Sequence, residues 1–337
     1  MNCSDNKTYK YMVAVRCMTY NHAPYIEDAL RGFSMQETAF PVVFIVIDDA
    51  STDGEPEVLR KWALSNLEED GGNASQWKRM SYGELLLGTC KGKKNLLFAL
   101  LLLAENHVQS GRKWQRFEYM AEWNDNAKYL ATCEGDDYWT APDKLQRQVE
   151  FLEKHQEYSF CVHNFKRYLE PSNQFIEGFR YKEDFSFDIN GYLKYWPTQP
   201  LTSLVRSSAT PSVEVRKKFR YYRDNHHYYL LLQKGMGYYM SDVMGVYRIT
   251  GKGVWTSLDS VAKVEIDLRS FVELYNYNKK DYALKNKCIN QYVLYLQTCK
   301  ENNAPVKKEV KDLIWMGGRV KANAILLYSK LRKLIAK

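Results

Sequence analysis

Two short acidic turns, Asp48-Asp49-Ala50-Ser51-Thr52-Asp53-Gly54 and Glu134-Gly135-Asp136-Asp137-Tyr138-Trp139, each follow an apolar run with the character of a buried strand. If the two strands are parallel neighbours, both acidic tips open at one edge of the sheet, where open α/β sheets bind their ligands. Crowded carboxylates repel, and they stay ionised together most easily around a cation. The chemistry this suggests is that of an enzyme handling a metal-bound phosphate.

The elements that must hold those turns alternate between strand and helix from Met12 to His155, which predicts a mostly parallel, doubly wound α/β sheet. Met12–Met18 reads as the first strand, and Pro24 is placed to open a helix through Ile26, Ala29, Leu30 and Phe33. Val42–Ile47 is β-branched with no polar alternation, as in a central strand covered on both faces. Ser51, Thr52 and Asp53 can cap the next helix, about 56–67, and Asn95–Ala104 reads as helical. The charged and aromatic stretch 105–128 reads as an insertion before a strand at Tyr129–Cys133. Pro142 then opens an amphipathic helix with Leu145, Gln148, Val149 and Leu152 on one face, and Phe160–His163 is a further strand. From Arg167 to Arg223 the pattern is irregular, with four prolines, as in a lobe shaping an acceptor pocket; from about Ser260 the chain is helical.

Composition bounds the classes. A chain of 337 residues with 45% hydrophobic and 14% aromatic content buries a sizeable core and is not disordered. The seven cysteines form no Cys-x-x-Cys pair, and the first residues lack the blocks of a signal peptide, so reduced thiols in a cytoplasmic protein are expected. Of the net charge of +8, residues 306–337 carry +7, from nine basic residues against Glu309 and Asp312. A nearly neutral body argues against a nucleic-acid-binding face. In the tail, Val320, Ala324, Leu327, Leu331 and Leu334 recur at helical spacing among Lys321, Lys330, Arg332 and Lys333. That pattern suits a helix lying on an anionic membrane surface, at the inner face of the cytoplasmic membrane, or a helix packed on the body with its lysines exposed.

Four blocks, in order, resemble glycosyltransferase family 2, the inverting, nucleotide-sugar-dependent enzymes of GT-A fold. They are Met18-Thr19-Tyr20-Asn21-His22-Ala23-Pro24-Tyr25-Ile26, the two acidic turns with Lys144-Leu145, and Asp224 followed by Gly235 and Val243-Met244-Gly245-Val246-Tyr247-Arg248. The resemblance spans about 10–258. It implies a GT-A domain over 1–258, with a nucleotide-sugar-binding half at 10–165 and an acceptor-binding half at 166–258, then a helical region at 259–337. It also implies sugar transfer from a nucleotide-sugar, with a UDP-sugar first among donors, to a glycan or lipid-linked acceptor in surface polysaccharide biosynthesis.

Carried over by position, the resemblance puts Thr19 and Asn21 in the loop holding the nucleoside. Asp49 then accepts from the base with Asp48 beside it, although Asp48 and Asp53 can equally cap a helix. Glu134, Asp136 and Asp137 match the family's Asp-x-Asp metal motif, with Asp136 as the contact to Mg²⁺ or Mn²⁺. Asp224 matches the catalytic base that takes the acceptor proton, or is a surface charge or helix cap. Arg248 and Trp255, with Lys252, would form a mobile flap over the diphosphate, and Asn95 would lie near the donor unless it caps a helix. The pair His226-His227 reads as packing or solvent-exposed. Two departures stand out: Asn225 follows the base where many relatives have Trp, and Thr250 stands where many have His. A metal-dependent nucleotidyltransferase and a non-catalytic sugar-nucleotide or membrane-surface module remain the alternatives. The former usually carries a glycine-rich loop after strand one, and Thr19–Pro24 is not such a loop.

Overall fold

The chain enters its sheet at β1 (Tyr11–Thr19), passes through α1 (Ile26–Ser34) to β2 (Val42–Asp48), and through α2 (Glu55–Asn66) to β3 (Leu67–Glu68), β4 (Lys78–Met80), β5 (Gly83–Cys90) and β6 (Lys93–Leu103). After α3 (Gln115–Tyr119) and α4 (Ala121–Asn124) come β7 (Ala127–Thr132), β8 (Tyr138–Trp139), α5 (Lys144–Lys154), β9 (Tyr158–Leu169), β10 (Gln174–Glu177) and β11 (Phe185–Phe187). Two later strands, β12 (Leu204–Arg206) and β13 (Met236–Ile249), complete the sheet. The computed structural model describes residues 7–68, 76–251, 253 and 257–335, the stretch 329–335 as helical backbone only. Two compact units divide the chain. The first holds Met1–Phe187, Pro197–Thr210 and Lys234–Ile249, and the second Asp188–Trp196, Pro211–Gln233 and Thr250–Lys337.

The first unit is the α/β unit that the alternating pattern predicts. Across the sheet the order is β11, β13, β9, β12, β7, β1, β2, β6, β5, β3. Successive parallel crossovers place β2 and then β6 on one side of β1, whereas β7 pairs with its other side, also in parallel. The sheet is therefore doubly wound, with its switch point between β1 and β7. Every residue of β2 is buried, which is why Val42–Ile47 shows no polar alternation. Beneath the sheet, Phe33 stacks on Phe44 at 5.1 Å, Phe44 on Phe98 at 4.8 Å, and Trp139 meets Phe33 edge-on at 5.2 Å.

One expected element is different. Asn95–Ala104 is not a helix: Asn95–Leu103 lies in β6, paired with β2 in parallel and with β5 in antiparallel register. Nine consecutive apolar residues have no period to distinguish buried helix from buried strand, and Leu-rich helix propensity yields to two flanking strands. The turn that makes this possible is Lys91-Gly92, between partners Cys90 and Lys93, with Gly92 at φ +75°. A two-residue hairpin turn needs such positive φ.

The second unit is helical. It comprises α6 (Ile189–Tyr195), α7 (Val213–Lys217), α8 (Asp224–Leu232), α9 (Ser260–Tyr277), α10 (Tyr282–Glu301), α11 (Lys308–Asp312) and α12 (Met316–Ile335). Asp259 and Asp281 cap α9 and α10 by accepting from Ala262 N and Leu284 N, bonds worth about 1 kcal/mol each. On α12, Ala322 is buried, while Met316, Val320 and Leu327 are 76%, 64% and 61% exposed. Among the described residues no helix is long and apolar enough to cross a membrane.

Candidate active site

The loop after β1 and both acidic turns meet at the switch point. Backbone bonds carry the ladder past the strand ends: Asp49 N donates to Thr19 O at 3.0 Å, Cys133 N to Arg16 O at 3.1 Å, and Gly135 N to Met18 O at 3.1 Å. Gly135 is required here, because a Cβ would stand 2.2 Å from Thr19 Oγ1 and 2.6 Å from Thr19 Cβ. The second acidic turn is thereby pressed onto the end of β1.

A buried carboxylate that the sequence reading did not single out, Glu55 at the start of α2, ties the first loop together. It accepts from the Thr19 hydroxyl and from His22 N at 2.8 Å, and its Oε2 lies 2.9 Å from Ser51 Oγ, whose one hydrogen is shared between Glu55 and Asp48. Asn21, in left-handed conformation at φ 56°, donates its N–H to Ser51 Oγ and accepts from Thr52 N, both at 2.8 Å. Thr19 and Asn21 thus bind the two loops to each other. A Glu directly after Asp53-Gly54 was the available signal, readable only as a first-turn charge of α2.

The first acidic turn serves the protein as well as any ligand. Asp48 is buried and accepts from Ser51 N and Oγ; burial pushes its carboxyl up to about 6, with the Ser51 bonds pulling the other way. Asp53 accepts from Glu55 N at 3.1 Å and Ala23 N at 2.9 Å, so the helix-capping alternative describes it. Asp49, expected to accept from the nucleobase, is also engaged by the protein itself. Its buried carboxylate accepts from His107 N at 2.8 Å and Val108 N at 3.2 Å, and faces Arg116 Nη1 at 3.5 Å. Asp49 therefore anchors the 105–128 insertion to the edge of the sheet where β1 and β2 end.

In the second turn Glu134 is exposed and Asp136 is 19% exposed, with Asp136 Oδ2 3.9 Å from His22 Nε2. Asp137 is buried; burial raises its carboxyl well above the usual range, the neighbouring Asp136 charge adds to that, and the Arg248 N–H bond at 2.9 Å opposes it. Arg248 is not part of a flap. The β8–β13 pairing, Val246 opposite Tyr138, sets it beside the turn. There its Nε donates to Asp136 O at 3.0 Å and its Nη2 to Asp28 Oδ2 at 2.7 Å, among the rings of Tyr25, Tyr138 and Tyr168. Trp255 and Lys252 lie outside the described residues.

Asn95 is not brought to this edge. It lies at the opposite end of the parallel strands, where its amide donates to Thr38 O at 2.8 Å and Phe40 O at 3.3 Å, fastening the approach to β2. Asp224 belongs to the second unit, as the exposed first residue of α8, where a carboxylate also favours the helix N-terminus. Its neighbour Asn225 donates to Ser270 Oγ, and buried His226 packs against Phe219 and Tyr222. His227 Nδ1 lies 3.0 Å from the Tyr222 hydroxyl, so the histidine pair is engaged in packing and hydrogen bonding.

No family model matches the chain. Over 151 residues, 45% of this chain, it is 32% identical to the uncharacterised proteins Rv1520 of Mycobacterium tuberculosis and Mb1547 of Mycobacterium bovis. The match covers 34% of each, so the chain spans about a third of the length of the curated relatives it matches. Among solved structures, residues 1–349 of S. aureus TarS in complex with UDP-GlcNAc align with 14% identity and a TM-score of 0.45, over 90% of this chain and 83% of that one. The mannosyltransferase PcManGT from Pyrobaculum calidifontis, in complex with GDP-Man and Mn²⁺, aligns with 15% identity and a TM-score of 0.49, over 98% and 89%.

Proposed function

We propose that this chain is an inverting, metal-assisted glycosyltransferase of the family 2, GT-A type, moving a sugar from a nucleotide-sugar, a UDP-sugar first, to a glycan or lipid-linked acceptor of a surface polysaccharide. The observation that carries the reading is the meeting of three loops at the switch point, Thr19–Tyr25, Asp48–Asp53 and Glu134–Asp137, in the order of the family's motifs. A nucleoside diphosphate at this crevice would lie where doubly wound sheets take such ligands. Thr19 and Asn21 would shape the nucleoside side of the crevice, with Asp48 and Asp49 holding its walls.

Among the described residues no three His, Cys, Asp or Glu side chains are grouped to hold a metal ion. Mg²⁺ and Mn²⁺ at phosphate sites are bound by one or two carboxylates, the substrate phosphates and water, and the partly exposed Asp136 fits that mode. Once bound, the cation would supply Lewis-acid stabilisation of the leaving diphosphate. Asp224 would take the proton of the acceptor hydroxyl as its oxygen bonds to the anomeric carbon and the bond from that carbon to the diphosphate breaks. Glu134 would add to the charge of the turn, while Asp137, accepting from Arg248 N, and Arg248 itself would hold its shape.

General-base catalysis contributes about 10²–10⁴-fold. Asp224→Asn is therefore expected to lower transfer by that factor while thermal stabilisation by the nucleotide-sugar stays as in the wild type. Full transfer by a folded, donor-binding variant would sink the assignment. For the acceptor side, the exposed Met316, Val320 and Leu327 beside the basic residues of 306–337 support contact with an anionic membrane, where a lipid-linked acceptor would reside.

A further inference from the structure

We infer that His22 is a second protein ligand, beside Asp136, for the divalent cation; this rests on the reading of Asp136 given above. The Thr19 hydroxyl has one hydrogen, and that hydrogen goes to Glu55 Oε1. Towards His22 Nδ1, 3.2 Å away, the Thr19 oxygen can then only accept. In the neutral imidazole the ring proton is thereby fixed on Nδ1, and the lone pair is on Nε2.

That nitrogen lies 3.9 Å from Asp136 Oδ2. Two electron-pair donors facing one another repel, and a cation between them turns repulsion into coordination. Adjacent ligand atoms of an octahedral ion bonded at about 2.1 Å stand about 3.0 Å apart, so the two side chains, 3.9 Å apart without the ion, would close by about 1 Å around it. A metal-binding histidine normally donates its other N–H to a carboxylate or carbonyl, which fixes the tautomer and the ring. Here the donation runs through Thr19 to buried Glu55, which also accepts from His22 N.

Packing fixes the pair. A Cβ on Gly135 would stand 3.1 Å from His22 Nδ1, so the turn carrying Asp136 is seated directly against the ring. Two protein ligands leave the remaining positions to water and phosphate oxygens, as hard cations acting on phosphates require.

The test is Mn²⁺ binding to the full chain in the presence of UDP, followed by the free-ion EPR signal, with pulsed EPR on the bound ion to detect coupling to an imidazole nitrogen. Wild type is expected to show that coupling. His22→Ala should abolish it and weaken Mn²⁺ binding about tenfold or more, and Thr19→Val should weaken binding by about 10–100-fold through the lost tautomer control. The wild-type spectrum needs no variant to fold, and melting curves without metal check the variants. Mn²⁺ binding that depends on Asp136 but shows no nitrogen coupling, as a metal-free His22–Asp136 ion pair would give, overturns the role of His22 alone. If wild type binds no Mn²⁺, or Asp136→Ala binds it unchanged, the reading of Asp136 falls and this inference with it.

Discussion

Asp48 illustrates what a buried acid does at this edge. Its carboxyl rises from the usual 3.8 to about 6 because burial outweighs the Ser51 hydrogen bonds. An acid raised on folding binds more protons in the native than in the unfolded state between those values. Native stability therefore falls as pH climbs from about 4 to about 6, and stays lower above. At 1.36 kcal/mol per unit the cost approaches about 3 kcal/mol. Asp48→Asn keeps an acceptor for Ser51 and loses the titration. Its urea midpoint should gain on wild type across that pH window and hold the gain to about pH 8. A stability difference that is independent of pH would contradict the assignment. At this scale the sequence identified the acidic side chains, but whether each faced solvent, backbone or another acid depended on neighbours far along the chain. Asp49 shows this, since its partners His107, Val108 and Arg116 are 58 to 67 residues away.

Among the elements, the insertion between β6 and β7 gains its place from that same carboxylate. His107 also bonds Tyr119 at 3.0 Å, and Gln109 reaches the Tyr20 hydroxyl at 3.3 Å, so the segment is fastened to the loop after β1 as well. Removing the anchor by Asp49→Ala would leave two backbone N–H groups unpaired, at about 1–3 kcal/mol each. Hydrogen exchange at His107 and Val108 should accelerate about tenfold or more, while amides in β1 and β7 keep their protection. Unchanged exchange at those two amides would mean that Asp49 does not hold the insertion. The helix expected at Asn95–Ala104 failed at the same level. Its residues favour helix locally, and only the Lys91-Gly92 hairpin with β2 and β5 on either side makes the run a strand.

For the molecule as a whole, the uneven charge is the property with the clearest consequence. Residues 306–337 hold +7 of the net +8, and α12 exposes apolar side chains within that stretch. Vesicles containing anionic lipid are expected to co-sediment the wild-type chain, less so as salt is raised. The double variant Val320→Asp with Leu327→Asp should lose that binding by about tenfold or more. Both positions are exposed, so its melting temperature should stay unchanged. Equal sedimentation of both proteins would remove the membrane from the proposal.

By itself the sequence determined the α/β class, the strands that end in acidic turns, the helical character of the C-terminal region and the concentration of positive charge. Each of these is written in local period, turn chemistry or composition, which need no distant partner. Tertiary structure alone decided that β6 is a strand, that Arg248 braces the second turn, that Asn95 sits at the far end of the sheet, and that Glu55, Thr19 and His22 form one hydrogen-bonded chain facing Asp136. Those outcomes depend on strand order and on close approaches such as Gly135 against Thr19, which join residues more than a hundred positions apart and leave no periodic mark in the chain.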